Sequence, residues 1–348
     1  MEAQANFHLS MFLENLEIPF LNKFLPCKGN CLEQSCQSLL TVQTTTFECG
    51  GRAIGVCMLH KVVDASTMSA FLKTWVKLTQ GEGDKILDPD FTSEISLFPP
   101  IDSLPTKFIR NLENFYFQGS KSPMRRFLFD SKAIKALKAN TSSQYVPFPS
   151  TIEALTAFLC KRIAAASKFL TDAPKTLAIT HVANLRPRVD PPLPQNSFGN
   201  LLWIPFAFYD PLDASMELPN LAIMLREVFA RLTAENIKDI DSESTITFLN
   251  ELFSVSTNEK IKIFRFTSWC NMGIYDINYG WGKPVWVAHM GDLDAANIRS
   301  KHQFVFLESA CKEGIKLWIA SDDEEIRVVE KDPEFLTYAK PNPSICMN

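Results

Sequence analysis

The stretch "GVCMLHKVVDAST", residues 55–67, changes its periodicity part-way along. Upstream, "QSLLTVQTTTF" (residues 37–47) is rich in Thr, Val and Leu and predicts a strand. Gly50 and Gly51 make a turn, and "RAIGVCML" predicts the antiparallel partner. From Asp64 onward Met68, Phe71, Leu72, Trp75, Val76 and Leu78 recur mostly at helical spacing. Asp64 or Ser66 can cap that helix and Gly81 can end it. His60 therefore falls between a strand and a helix, four residues before a carboxylate. A histidine in such a place is a candidate general base, because its pKa lies near neutrality and a neighbour can fix its tautomer. The H-x-x-x-D match is single: His8, His181, His289 and His302 have no Asp at that offset.

Further out, residues 80–122 are proline-rich and lack periodicity, which predicts a connector between two halves. The second half opens with a strand at "RRFLFD" and a helix. A longer helix over 151–169 follows, begun by a Ser150-x-x-Glu153 capping box. Strands are expected at "TLAITHVANL", "LLWIPFAF", "IKIFRFTSW", "VWVAHM", "HQFVFLES" and "IKLWIAS". Helices are expected over 217–236 and 240–255, with a short acidic one near the end. The pattern is mixed α/β.

Composition narrows the class. The chain has 348 residues, enough for two domains, with 46% hydrophobic and 21% charged residues and a net charge of −4. That charge gives no general attraction to nucleic acid or an anionic membrane. No apolar run reaches the length of a membrane span, and the N-terminus lacks the pattern of a signal peptide. Nine cysteines are scattered. Cys27, Cys31 and Cys36 lack zinc-knuckle spacing, so a cytoplasmic protein with reduced thiols is expected. No G-x-S-x-G elbow, phosphate-binding glycine loop or metal-ligand spacing is present. A reaction at His60 is then direct proton transfer between two bound substrates, with no metal and no bound cofactor. A second stretch, "NYGWGKPVW" (residues 278–286), places glycines on both sides of Trp281 and predicts an architectural turn with a buried indole.

H-K-V-V-D at 60–64 and N-Y-G-W-G at 278–282, in that order, resemble the H-x-x-x-D and D-F-G-W-G signatures of the BAHD plant acyltransferases. "FECGGRAIGV", "FLKTW", "ANLRPRVDPPLPQNSFGN" and "FTSWCNMGIYDINYGWGKPVW" extend the resemblance over nearly the whole chain, toward the branch of alkaloid acetyltransferases. The resemblance implies a two-domain fold like that of chloramphenicol acetyltransferase, with mixed sheets and a tunnel between the domains. Residues 1–100 would be the remainder of the first domain, 101–122 the crossover linker and 123–348 the second domain. The implied activity is acyl transfer from acetyl-CoA, or another acyl-CoA, to a hydroxyl of an alkaloid or other specialised metabolite. The implied protein is a monomer needing no nucleic acid or membrane.

The resemblance also assigns residues. His60 and Asp64 form the catalytic motif, with His60 as general base and Asp64 mainly structural; Arg186 in "NLR" is the candidate partner of Asp64. Thr267 and Trp269 would line the acyl pocket and donate to the oxyanion. Ser197 and Asn200, in "SFGN", would face coenzyme A. Gly280, Trp281 and Gly282 would hold the architecture. Four departures stand out. Asn278 replaces an Asp, which threatens to leave a buried cation unpaired, and Tyr279 replaces a Phe. Leu59 replaces a small or polar residue. A front segment ending in a motif like F-Y-P-L-A-G-R has no match, about a fifth of the expected length. Its lack would leave sheet edges unpaired and apolar faces uncovered in the half that carries His60, weakening the fold and favouring aggregation. These departures motivate an alternative reading, a truncated and inactive relative that at most binds coenzyme A or a partner.

Overall fold

The computed structural model describes residues 1–26, 38–86, 88–101, 124–213, 215–289, 302–311 and 314–345. The linker expected over 101–122 lies almost wholly outside the described residues, as do Cys27, Cys31 and Cys36.

The N-terminal part begins with β1 (Glu2–Ala5) and a short helix α1 (Leu9–Glu14). Strands β2 (Leu40–Phe47) and β3 (Arg52–Met58) form the expected antiparallel hairpin, and β1 runs parallel to β2 on its other side. Strand β2 therefore has a neighbour on each side. Gly55 in β3 is required by close approach: a Cβ there would lie 1.9 Å from the carbonyl oxygen of Phe24. Helix α2 (Ala65–Thr79) follows with Asp64 as its N-cap, and the chain turns away at Gly81 with a φ of +75°. A short helix α3 (Thr92–Leu97) comes next.

Beyond the linker come β4 (Met124–Asp130), α4 (Ser131–Thr141) and α5 (Thr151–Leu170), the last opened by the Ser150/Glu153 capping box. Then follow β5 (Thr176–His181), β6 (Ala183–Asn184), β7 (Leu202–Trp203) and β8 (Phe206–Tyr209). Helices α6 (Leu218–Ala230), α7 (Ala234–Lys238) and α8 (Ser242–Thr257) lead to β9 (Ile261–Ser268). The described chain closes with β10 (Gln303–Glu308), β11 (Gly314–Ala320), α9 (Asp323–Val329), α10 (Pro333–Tyr338) and β12 (Lys340–Pro341).

Seven strands form one mixed sheet in the order β12-β4-β11-β10-β9-β5-β8. Both of its faces are buried, and the two-residue period of a strand decides which residue serves which face. Phe127, Phe129, Phe264, Phe266, Phe304, Phe306, Leu317 and Ile319 point to the helical side, where Leu155, Phe158, Leu159 and Ile163 of α5 meet them. Their alternates Met124, Val305, Leu307, Trp318 and Ala320 point the other way. There they pack against Phe12, Leu13, Leu21, Phe24 and Phe47 from the N-terminal part. The β2–β3 layer, and with it His60, is thus held against the second face of the large sheet.

Four sequence expectations need correction. The described part of "VWVAHM", residues 285–289, forms no strand: Trp286, Val287 and Ala288 pack on the second-face cluster, and the Val287 amide donates to the Tyr275 hydroxyl at 3.1 Å instead of to a ladder. "LLWIPFAF" is split around Ile204–Pro205, because proline brings no N–H to a ladder; β7 pairs with β6, whereas β8 joins the large sheet. The helix expected over 217–236 ends at Ala230, and the Thr233 side chain caps a separate α7. Trp281, expected to be buried, lies at the surface, as described with its turn below.

Candidate active site

The turn after β3 sets the geometry. The Leu59 amide still donates to Leu39 at 2.9 Å, and the Val62 amide folds back to the Leu59 carbonyl at 3.0 Å. This reversal leaves His60 and Lys61 exposed at the tip while Asp64, at the start of α2, is turned inward. One Asp64 oxygen accepts from the Thr67 amide at 2.8 Å, closing the helix N-terminus.

Asp64 also meets Arg186, Nη1 to Oδ2 at 2.7 Å and Nη2 to Oδ1 at 3.1 Å, a two-pronged pair in which both residues are buried. The remaining guanidinium donors reach the carbonyls of Ser197 and Gly199, Oγ1 of Thr67 and Oδ1 of Asn184, all between 3.0 and 3.2 Å. A buried arginine with its nitrogens engaged in this way is a joint, and this one ties α2 to the "SFGN" segment. The Thr67 hydroxyl completes it, donating to the Gly199 carbonyl and accepting from the Gly199 amide.

Within "SFGN" the two expected coenzyme-facing residues diverge. Ser197 is 1% exposed and its hydroxyl is spent on Asp90 and Ser93, so its side chain offers nothing to a ligand. The hydroxyls of Ser93 and Thr92 hold the Asp90 carboxyl well below the usual carboxylate range. Asn200, in contrast, donates to the His60 carbonyl at 2.8 Å, and its Oδ1 is buried with no partner.

On the facing sheet, Thr267 and Trp269 sit at the end of β9. Thr267 lies opposite Val305 in β10, whose side chain is on the second-face cluster, and the Trp269 amide donates to Phe306 at 2.8 Å. The Trp269 ring meets His289 edge-to-face, with centroids 4.7 Å apart. His289 neighbours His60: burial lowers its pKa to about 4, and the charge of His60 pushes it the same way. The fold thus gathers His60, Asn200, Trp269 and His289. Nothing in the sequence marked His289 beyond its being one of five histidines, and the strand expected there pointed elsewhere.

The glycine turn lies apart from this group. Gly280 and Gly282 have φ values of +101° and +112°, conformations that a side chain would strain. Trp281 is 55% exposed, not buried as expected; it stacks on Tyr279, with the Arg52 guanidinium 4.5 Å above its ring. Asn278 is occupied with bonds of its own turn. It is half-buried, its Oδ1 accepts from the Gly280 and Gly282 amides at 2.9 and 3.1 Å, and its carbonyl accepts from Gln80. An amide oxygen serves here as a carboxylate oxygen would. Tyr279 packs on Trp75 at 4.9 Å, so the turn clamps the C-terminal end of α2. At about 1.5 Å per residue that end is roughly 24 Å from Asp64.

One group of described residues resembles a metal site: His302, Asp322 and Glu325. The Lys262 ammonium already bonds Glu325 and lies 4.0 Å from Asp322, so these carboxylates hold a cation of the chain's own. A cavity of about 730 Å³ lies between β7, β8 and α8, lined by Trp203, Phe206 and Phe248, and none of the residues gathered around His60 lines it. Among the described residues, no helix is long and apolar enough to cross a membrane.

The profile of the Transferase family matches residues 1–336. Akuammiline synthase 2 of Alstonia scholaris is 48% identical over all of this chain and 78% of its own length. Stemmadenine O-acetyltransferase of Catharanthus roseus is 29% identical over 95% of this chain and 75% of that relative. The crystal structure of vinorine synthase superposes with a TM-score of 0.78 at 26% identity, over 97% of this chain and 76% of that one. Fungal TRI101 complexed with ethyl coenzyme A shares the fold at 16% identity, with a TM-score of 0.71 over 98% of this chain and 81% of that one. Fold and relatives together define an acyl-CoA-dependent O-acyltransferase. The chain belongs to the Transferase family, the BAHD acyltransferases.

Proposed function

We propose that this protein moves an acetyl group from acetyl-CoA to a hydroxyl of an alkaloid or related specialised metabolite, with His60 as general base. One observation carries the reading. His60 is presented at the tip of a turn whose motif partner, Asp64, is locked into a buried pair with Arg186, so the imidazole is left for chemistry.

In this reading the acceptor hydroxyl and the thioester meet beside His60. The imidazole takes the hydroxyl proton as oxygen attacks the carbonyl carbon, giving a tetrahedral intermediate. Collapse breaks the carbon–sulfur bond, and His60 returns the proton to the thiolate. Thr267 and Trp269 line the acyl pocket and donate to the oxyanion; Asn200 contacts coenzyme A; Arg186, Asn278, Gly280, Trp281 and Gly282 hold the frame. The chain divides into two domains, 1–100 and 123–348, connected in sequence by 101–122 and with a tunnel between them, and the enzyme acts as a cytoplasmic monomer. The relatives named for alkaloid synthesis and acetyl transfer support the choice of acceptor and acyl group.

The test is acetyl transfer from labelled acetyl-CoA to a panel of hydroxylated indole alkaloids by the full chain and by His60→Ala. Loss of about 10²- to 10⁴-fold in a folded variant is expected, the contribution of a general base. Unchanged turnover in His60→Ala would remove His60 from the mechanism. Coenzyme A binding without turnover on any acceptor would replace the enzyme reading with that of a binding protein.

A further inference from the structure

Buried polar atoms in folded proteins are paired, and each exception asks for a reason. Beside His60 there are two among the described residues, Oδ1 of Asn200 and Nδ1 of His289. Asn200 is already anchored to the His60 carbonyl through its other amide atom. His289 has no hydrogen bond to any described residue that would account for its place. Its ring is oriented by the edge-to-face contact with Trp269.

The surroundings decide what this imidazole can do. Burial depresses its pKa to about 4, so at neutral pH the ring is uncharged and one nitrogen keeps its hydrogen. Such a group is too weak a base to take the acceptor's proton in place of the exposed His60. It remains a fixed N–H donor, suited to an oxygen that gains negative charge. It touches Trp269, on the acyl side of the site.

We propose that His289 contacts the substrate in the acyl-transfer site, its Nδ1–H hydrogen-bonded to the carbonyl oxygen of the bound thioester. The inference rests on the acyl-transfer reading above. As the acceptor oxygen bonds to the carbonyl carbon, the C=O π pair moves onto this oxygen and the hydroxyl proton passes to His60. His289 holds the oxyanion without giving up its hydrogen. The pair then returns, the carbon–sulfur bond breaks, and the thiolate takes the proton from His60, leaving ester and free coenzyme A.

The experiment compares His289→Phe, which keeps a ring against Trp269 but no donor, with His289→Asn, whose amide N–H can occupy the Nδ1 position. Each variant and the wild-type chain are titrated with coenzyme A and with a ketone analogue of acetyl-CoA in which CH2 replaces sulfur; acetyl transfer is then measured. The phenylalanine variant should bind coenzyme A like wild type, bind the ketone about ten-fold more weakly, and lose about 10²-fold in kcat, the effect of one oxyanion donor. The asparagine variant should recover most of both losses. Equal weakening of coenzyme A and ketone, or full activity in His289→Phe, would overturn the inference and leave the reading of His60 standing. A wild-type chain that binds neither probe and transfers nothing would overturn both.

Discussion

Replacing Asp64 with asparagine isolates the charge of the buried pair from everything else the residue does. The substituted amide keeps an oxygen for the Thr67 N–H, so the cap of α2 survives, whereas Asp64→Ala would lose it as well, at about 1 kcal/mol. What disappears is the negative charge against Arg186, in a site where the two residues are 6% and 4% exposed. Removing one partner of a buried ion pair costs about 3–5 kcal/mol, because the other charge is left in a dry environment. Here the lower end applies, since the carbonyls of Ser197 and Gly199 and the Thr67 hydroxyl still accept from the guanidinium. The expected loss is about 3 kcal/mol, or roughly 4 °C in Tm at about 1.4 °C per kcal/mol for a chain of this length. Equilibrium urea unfolding followed by tryptophan fluorescence measures it. A double variant, Asp64→Leu with Arg186→Met, should lose less than the two single changes added together, because no lone charge remains. A loss under about 1 kcal/mol in Asp64→Asn would refute the argument that this pair joins the two parts of the chain.

Three further outcomes follow from the same geometry. His181, buried on Phe266 with its Nε2 at 3.0 Å from the Thr156 hydroxyl, has its pKa pushed down to about 3 by burial, whereas unfolded it titrates near 6.5. Its contribution is complete well above pH 6.5 and is lost as pH falls toward 3, because only the unfolded state takes up the proton; between about pH 8 and 5, about 2 kcal/mol should vanish in wild type and not in His181→Gln, read from urea midpoints. Asn278→Asp should keep wild-type stability, since a carboxylate oxygen accepts from the same two amides, while Asn278→Ala should cost about 1–2 kcal/mol by thermal unfolding. Gly55→Ala should be among the most damaging single changes, preventing β3 from docking on the Phe24 carbonyl; a soluble variant with unchanged near-UV circular dichroism would contradict the 1.9 Å approach.

Local signals made much of this fold legible in advance. The β2–β3 hairpin, the cap at Asp64, the capping box at Ser150 and most strands of the large sheet are written in short-range patterns, because helix caps and two-residue periodicity act within a few residues. The misreadings came where neighbours distant in sequence decide. "VWVAHM" has the composition of a strand, yet its Trp286, Val287 and Ala288 are satisfied by packing on a cluster and its Val287 amide by a tyrosine hydroxyl. Trp281 has the composition of a core residue, but its turn sits at the surface with an arginine above the ring.

The sequence by itself determined the chemistry on offer: a lone H-x-x-x-D match, a strand ending at the histidine, a helix beginning at the aspartate, and motifs that resemble one family. Only the tertiary structure decided how those residues divide the work. Asp64 and Arg186 are 122 positions apart, and their pairing turns the aspartate into a joint, while His60 stays exposed at the tip of the turn. Asn200 and His289 become neighbours of His60 only once the hairpin layer is laid against the large sheet. The physical reason is range. Caps and strand periods are set by adjacent residues, whereas the desolvation of a charge, the unmet hydrogen bond of a buried nitrogen and the exposure of an imidazole depend on what the rest of the chain brings alongside.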